Sequence, residues 1–256
     1  MNNIFNTKRF GMLLIKHTSE HYKTYLMSLG VLIGVMVLGG SFIVYLIPGG
    51  IDKEVQTILF VPVFFLAGTI FTSTIFADFG DQKKSTAALT LPASHFEKFL
   101  VGWLYSYVIF SVVFIISFYT ILIGLLNLKH LPHQRVEIFN IFVEPASGLF
   151  IIFTLLHSLA FFGAICFKKF HFIKAGFGFF ICAGILTVFN TWFVKALFQR
   201  DVRPAVPFSN VMFYEDTRFM AVTTGRHEDT FVSYLIIIVS IIFWTATYFR
   251  LKEKQV

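Results

Sequence analysis

Polar side chains inside long apolar stretches are the first residues in this sequence that could do chemistry. His157 lies in one such stretch, and Asn190 lies beside Thr191 in another. In a membrane, groups of this kind either join helices by hydrogen bonds or contact a substrate in a pathway, and the sequence leaves both interpretations open. No Asp, Glu, Lys or Arg accompanies them. Proton- and sodium-driven carriers commonly place an ionisable or cation-coordinating group near the middle of the membrane. We therefore expect the energy source to lie on another polypeptide.

Motifs for catalysis and for binding nucleotides or metals are absent from the sequence. It contains no phosphate-binding loop of the form G-x-x-x-x-G-K-[ST], no H-E-x-x-H zinc motif and no G-x-S-x-G nucleophile elbow. His17 and His21 are spaced for one helix face but lack a third ligand nearby. Cys166 and Cys182 fall in apolar stretches, where small core residues are expected. We therefore predict no catalytic residue, no metal and no cofactor, and we do not expect an enzyme.

The polar segment 78–100 carries the strongest local signal in the chain. Ser94 is followed three residues later by Glu97, a capping-box pattern that predicts a helix beginning at His95. Pro92 keeps the preceding residue out of helical geometry, so this helix is separated from the residues before it. The residues that we single out as a candidate interaction surface are Asp78, Asp81, Leu91, Pro92, Ser94, Glu97 and Lys98.

Six apolar stretches position these polar groups. Each has about twenty residues, and none contains a charged residue. A helix rises about 1.5 Å per residue, so such a length crosses the roughly 30 Å hydrocarbon layer of a bilayer. Charged residues make up 14% of the chain, against about a quarter in soluble domains. The sequence thus predicts an all-α integral membrane protein, one domain over 1–256, with spans at Tyr25–Leu46, Ile58–Ala77, Val101–Leu126, Leu149–Phe167, Phe177–Val194 and Phe231–Phe249.

The distribution of charge predicts how the chain is oriented. With the N-terminus in the cytoplasm, the inner segments hold 13 of the 21 basic residues but only 5 of the 14 acidic ones. Basic residues concentrate in cytoplasmic loops, so both termini are expected in the cytoplasm. The net charge of +7 then reflects topology and contact with anionic membrane lipid, and we expect no nucleic-acid partner.

Three further segments have expected roles. Residues 1–24 are basic and are expected to form a cytoplasmic amphipathic lead helix, or else a solvated extension of the first span. Gly30 and Gly34 predict a face for close helix packing, within the chain or between two copies. Residues 198–230 form an unusually long outer loop, which is expected to contain helices or a packed shape of its own.

Together these features resemble the membrane subunit of an ABC-2-type ABC transporter, of the small bacterial kind without a fused ATPase. The matching features are six spans with both ends inside, a basic lead helix and a long outer loop before the last span. Locally, Leu91-Pro92-Ala93-Ser94, then Glu97-Lys98-Phe99-Leu100 and Trp103-Leu104, is similar to a run in permease-like proteins from Bacteroidetes.

The resemblance implies a permease of an ABC-type exporter in the bacterial cytoplasmic (inner) membrane. In that family the loop between spans two and three carries a coupling helix that docks on a separate cytosolic ATPase, which here would be 78–98. The lead segment Phe5–Lys23 would be a second contact, and a second membrane subunit, identical or not, would complete the pathway. The alternative is a non-transporting membrane anchor or assembly factor that holds an ATPase or surface machinery in place.

Overall fold

Six long helices dominate the part of the chain that the computed structural model describes. That part comprises 5–47, 51–75, 93–128, 137–143, 148–167, 171–208, 211–215, 218–222 and 228–253. The helices are α1 Thr7–Leu46, α2 Lys53–Ile75, α3 His95–Leu128, α4 Gly148–Cys166, α5 His171–Phe198 and α6 Glu228–Glu253. Each contains a stretch long and apolar enough to cross a membrane, which confirms that the six predicted stretches are helical and of sufficient length. We call the side of the bundle on which α1 begins the terminal side, and the other the opposite side.

Helix α1 continues from the lead segment into the first span without a break. It has 40 residues, which at about 1.5 Å each span about twice the roughly 30 Å hydrocarbon layer of a bilayer. The Asn6 side chain caps its start, where Oδ1 accepts from the backbone N–H groups of Lys8 and Arg9 at 3.0 and 3.3 Å. Neither Pro nor Gly occurs between Gly11 and Gly30, so no residue there favours a helix end at position 24.

Helix α3 contains a π-helical segment in its first half. His95–Trp103 is α-helical, Leu104–Ile109 is π-helical, and Phe110–Leu128 is again α-helical. Such segments insert an extra residue into a turn, and they often occur at functional sites. Here the segment supplies Tyr105, whose side chain reaches α1, together with Ser106 and Tyr107, whose side chains both reach α4.

Two apolar clusters hold the helices together. The phenylalanine core extends toward the opposite side and includes Phe60, Phe64, Phe114, Phe118 and Phe153. The terminal-side cluster is smaller and contains Ile75, Val101, Tyr105, Phe161, Ala164, Ile165 and Leu251. Lipid is as apolar as these side chains, so tight packing, rather than escape from water, is what stabilises the contacts between spans.

Close approach of two helices occurs at glycines other than the predicted pair. A Cβ atom at Gly68 would overlap the Phe153 ring, so α2 and α4 depend on the missing side chain there. A Cβ atom at Gly40 would lie 2.7 Å from Leu125 Cδ1 of α3. By contrast, a Cβ atom at Gly30 or Gly34 would meet nothing within 4 Å, so these two glycines make no close helix contact within the described chain. Packing of Gly30 and Gly34 between copies stays a prediction.

The segment 198–230 departs from the all-α expectation. It contains an antiparallel hairpin of β1 Val211–Glu215 and β2 Arg218–Val222, in which Phe213 pairs with Met220. Val202 forms an isolated bridge with Phe213. The next residue, Arg203, donates its N–H to the Met212 carbonyl at 2.9 Å. β-Branched and aromatic residues occupy five of the ten strand positions, three of them in β1, a composition that favours extended chain over helix.

Candidate functional site

A buried carboxylate joins the starts of α1 and α3. The Glu97 side chain is fully buried, and its Oε1 atom accepts hydrogen bonds from Asn6 N and Arg9 Nη2, each at 2.8 Å. Its Oε2 atom accepts from Arg9 Nε at 2.7 Å and from Ser94 N at 2.9 Å. We call Asn6, Arg9, Ser94 and Glu97 the latch. All four interactions converge on one residue in the first turn of α3.

The chemistry of the latch explains why a charge is tolerated there. The guanidinium of Arg9 binds both carboxylate oxygens of Glu97, the fork geometry that suits arginine. The two backbone donors, Asn6 N and Ser94 N, lie at the starts of helices, where the helix dipole also favours a negative charge. One carboxylate thus serves two helix ends and one cation. The Arg9 side chain is 30% exposed, so water can rehydrate it if the contact opens.

The capping box predicted from Ser94 and Glu97 is confirmed. Ser94 Oγ accepts from Glu97 N at 3.1 Å, Glu97 accepts from Ser94 N, and the helix begins at His95. Two of the predicted interaction residues, Glu97 and Lys98, have buried side chains. Glu97 faces α1, and Lys98 is only 5% exposed, so within the described chain neither side chain lies open to a partner. Asp78, Asp81, Leu91 and Pro92 lie outside the described residues.

His157 of α4 is hydrogen-bonded to side chains of α3 and α6, and we call His157, Ser106 and Trp244 the polar belt. Trp244 Nε1 of α6 is 3.1 Å from His157 Nδ1, and Ser106 Oγ of α3 is 2.8 Å from His157 Nε2. An indole N–H can only donate, so Nδ1 accepts, and the ring proton on Nε2 is assigned as the donor to Ser106. The Ser106 hydroxyl donates onward to the Gly102 carbonyl at 2.7 Å. Every polar atom of this fully buried histidine has a partner, which favours the helix-joining interpretation.

Asn190 and Thr191 hold the chain that follows α5. Asn190 Nδ2 donates to the Ala205 carbonyl at 3.0 Å, and Ala205 N donates to Thr191 Oγ1 at 3.1 Å. These two residues share Ala205, whereas His157 bonds to α3 and α6. The hydrogen bonds of His157 are therefore separate from those of the other two predicted pathway residues.

A second polar attachment lies on the opposite side and was missed from the sequence. Gln56 is fully buried, and its Nε2 donates to the carbonyls of Ile51 and Glu137, each at 3.0 Å. Its Oε1 accepts from Phe139 N at 2.7 Å, and Tyr119 Oη donates to the Phe139 carbonyl at 2.8 Å. We call Gln56 and Tyr119, with the segment 137–141 that they hold, the amide anchor. A lone amide just before an apolar stretch was the available signal.

An ion pair on the opposite side provides an exposed contrast with the latch. Lys195 Nζ lies 2.8 Å from Asp201 Oδ1, and the Asp201 side chain is almost fully exposed. The hydrogen bond and the charge of Lys195 lower the pKa of Asp201. Exposed pairs of this kind contribute little to stability, because water and salt screen them.

Neither a metal cluster nor a known relative adds to this picture. Within the described residues, no three His, Cys, Asp or Glu side chains are grouped so that they could hold a metal ion. Comparison with family models, curated proteins and solved structures found no match. The latch, the polar belt and the amide anchor therefore carry the functional argument.

Proposed function

We propose that the protein is a membrane-spanning permease subunit of an ABC-type exporter, driven by a separate cytosolic ATPase. The observation that carries the proposal is the latch. It ties the start of α1 to the start of α3, which are the two segments that the resemblance to ABC-2-type permeases assigns to ATPase contact. A push on one segment is transmitted to the other, because three hydrogen bonds from Asn6 and Arg9 to the Glu97 carboxylate connect them.

A rigid centre supports the idea that force is transmitted rather than absorbed. Helices α2 and α4 each contain nine buried residues and pack closely at Gly68. The polar belt extends this centre to α3 and α6 through His157. Movement imposed on the start of α3 therefore acts on tightly packed helices.

Sparse burial at the periphery supports a second membrane subunit. Helix α1 has two buried residues, Met36 and Gly40, and in α5 only Val194 is buried among the residues whose side chains are described. Such surfaces contact lipid or another protein within the membrane. A pathway formed by two subunits, identical or not, is consistent with surfaces that contact lipid and with surfaces that contact another protein.

Co-purification is the first test of the proposal. The full-length chain, with an affinity tag and expressed at its native level, is extracted in mild detergent and its partners are identified by mass spectrometry. We expect an ATPase with a phosphate-binding loop in comparable amount. Recovery of a folded chain that brings no such ATPase would contradict both the permease and the alternative of an ATPase anchor.

Reconstitution separates the permease from a non-transporting anchor. The purified complex is placed in vesicles made from the host's own lipid extract, and ATP hydrolysis is compared with that of the ATPase alone. A permease is expected to raise the rate of ATP hydrolysis and to couple that hydrolysis to movement of a component between leaflets. Hydrolysis that is unaffected by the membrane chain, with no movement of any extracted component, would favour the anchor.

A further inference from the structure

The first half of α1 is attached to the bundle differently from the rest of the molecule. We call Thr7–Tyr25 the arm, and none of its residues is buried. Phe10, Leu13, Leu14 and Tyr25 are only partly buried against the terminal-side cluster. A region with few buried apolar contacts opens at low free-energy cost, on its own and before the rest of the protein.

Polar contacts secure the arm at two levels. At its start, Arg9 and the preceding Asn6 bind Glu97. Two turns further on, the Thr18 hydroxyl is hydrogen-bonded to the Tyr105 hydroxyl in the π-helical segment of α3. Tyr25 then stacks on Tyr105 with ring centroids 5.5 Å apart. The arm thus covers α3 from its first turn to the π-helical segment.

A weak point lies where the arm joins the remainder of α1. Gly30 and Gly34 lie within the helix, where glycine is less favourable than alanine. A Cβ atom at either position would meet nothing within 4 Å, so no packing within the described chain requires a glycine there. Beyond this point α1 is held by Met36 and Gly40, its two buried residues.

We propose that the arm is a strap that swings away from α3 about Gly30 and Gly34 when the latch opens, uncovering Tyr105 and the surface around it. A permanent cover over α3 would be held by buried apolar side chains, as α4 is. Charged and hydroxyl groups instead exchange their partners for water once the strap lifts. The strap goes beyond the proposed function, since it is a property of the chain alone and needs no ATPase to be observed.

Hydrogen exchange of the full-length chain in lipid nanodiscs tests the strap. Glu97→Gln keeps the capping box, because Gln also serves at that position, but removes the negative charge that holds Arg9. We expect exchange of the arm amides to rise about tenfold or more, while the amides of 110–128 in the phenylalanine core are unchanged. The matched control is Glu20→Gln, which neutralises an exposed partner of Lys16 in the same arm and should leave exchange as in the wild type.

A second set of variants keeps the test decisive if Glu97→Gln fails to fold. Thr18→Val removes the hydrogen bond between Thr18 and Tyr105 without changing charge, and it is expected to raise exchange of the arm amides. Alanine at both Gly30 and Gly34 is expected to lower it, because the hinge stiffens. The strap is wrong if Glu97→Gln or Thr18→Val leaves arm exchange at the wild-type rate, or if exchange rises equally in 110–128. It is also wrong if the double alanine variant leaves arm exchange unchanged while disrupting a complex between copies, the outcome expected of a packing face.

Discussion

The two sides of the bundle attach distant segments with different polar side chains. On the opposite side, the neutral amide of Gln56 holds Phe139, 83 residues away, within the phenylalanine core. On the terminal side, the charged carboxylate of Glu97 holds Asn6, 91 residues away, at the margin of a smaller cluster. Both side chains are fully buried and fully engaged, yet the Arg9 partner of Glu97 is 30% exposed, whereas Ile51 and Phe139, two of the three backbone partners of Gln56, are buried.

This difference indicates which attachment is permanent. When the bonds of the Gln56 amide break, its buried backbone partners at Ile51 and Phe139 have no favourable alternative, because they stay in an apolar setting. Arg9 already reaches water, and Glu97 does so once the arm lifts, so both charged groups recover much of the lost interaction by hydration. The amide anchor therefore belongs to the stable centre of the fold, and the latch belongs to a part that can detach.

The largest effect is expected from the amide anchor. Gln56→Leu keeps the side-chain volume but leaves the Ile51 and Glu137 carbonyls and Phe139 N without their partner. The groups at Ile51 and Phe139 are buried, and each unsatisfied buried group costs about 1–3 kcal/mol, so we expect a loss of about 3 kcal/mol in the free energy of unfolding. Thermal unfolding in detergent measures it, with the neighbouring Thr57→Ala as control. A change no larger than that of the control would show that 137–141 is held by other contacts.

The polar belt tests whether neutral bonds at the centre of the bundle resemble the amide anchor. Trp244→Phe removes the donor to His157 Nδ1 and leaves a small cavity beside Tyr107 and Trp103. We expect a loss of about 2 kcal/mol in the free energy of unfolding, with cooperative unfolding preserved. If His157 instead contacts a substrate, stability would change little while transport changed. That outcome would restore the pathway interpretation of His157.

A smaller global effect is expected from the latch. Glu97→Ala removes the capping box and the partner of Arg9, but the arm can swing into water rather than keep an unpaired cation buried. The loss in unfolding free energy should be about 1 kcal/mol, the usual value of a helix cap, while exchange of the arm rises steeply. A global loss as large as that of Gln56→Leu would show that the latch is part of the stable centre, and the comparison between the two sides would fail.

The sequence predicted the spans well because a bilayer imposes a length and a composition that any reader of the chain can recognise. It also predicted the capping box, since Ser94 and Glu97 interact over three residues. It did not predict that Arg9 and Glu97 meet, or that Gln56 holds 137–141, because pairings across more than 80 residues depend on how helices pack. Gly30 and Gly34 illustrate the same limit, since their spacing resembles that of a packing motif whereas the close approaches occur at Gly40 and Gly68.

The smallest effect is expected from the exposed pair on the opposite side, and it separates charge from burial. Lys195 and Asp201 are joined at 2.8 Å, as close as the contacts of the latch, but the Asp201 side chain is almost fully exposed and that of Lys195 is 44% exposed. Asp201→Asn removes the charge and should leave the melting temperature unchanged, because solvent already screens the pair. Thermal unfolding of Asp201→Asn beside Glu97→Gln makes the comparison at equal change of charge. A melting temperature that falls equally in both variants would mean that the latch acts through its charge alone. We expect the melting temperature to fall only in Glu97→Gln, because only that carboxylate is buried and shared by two helix ends.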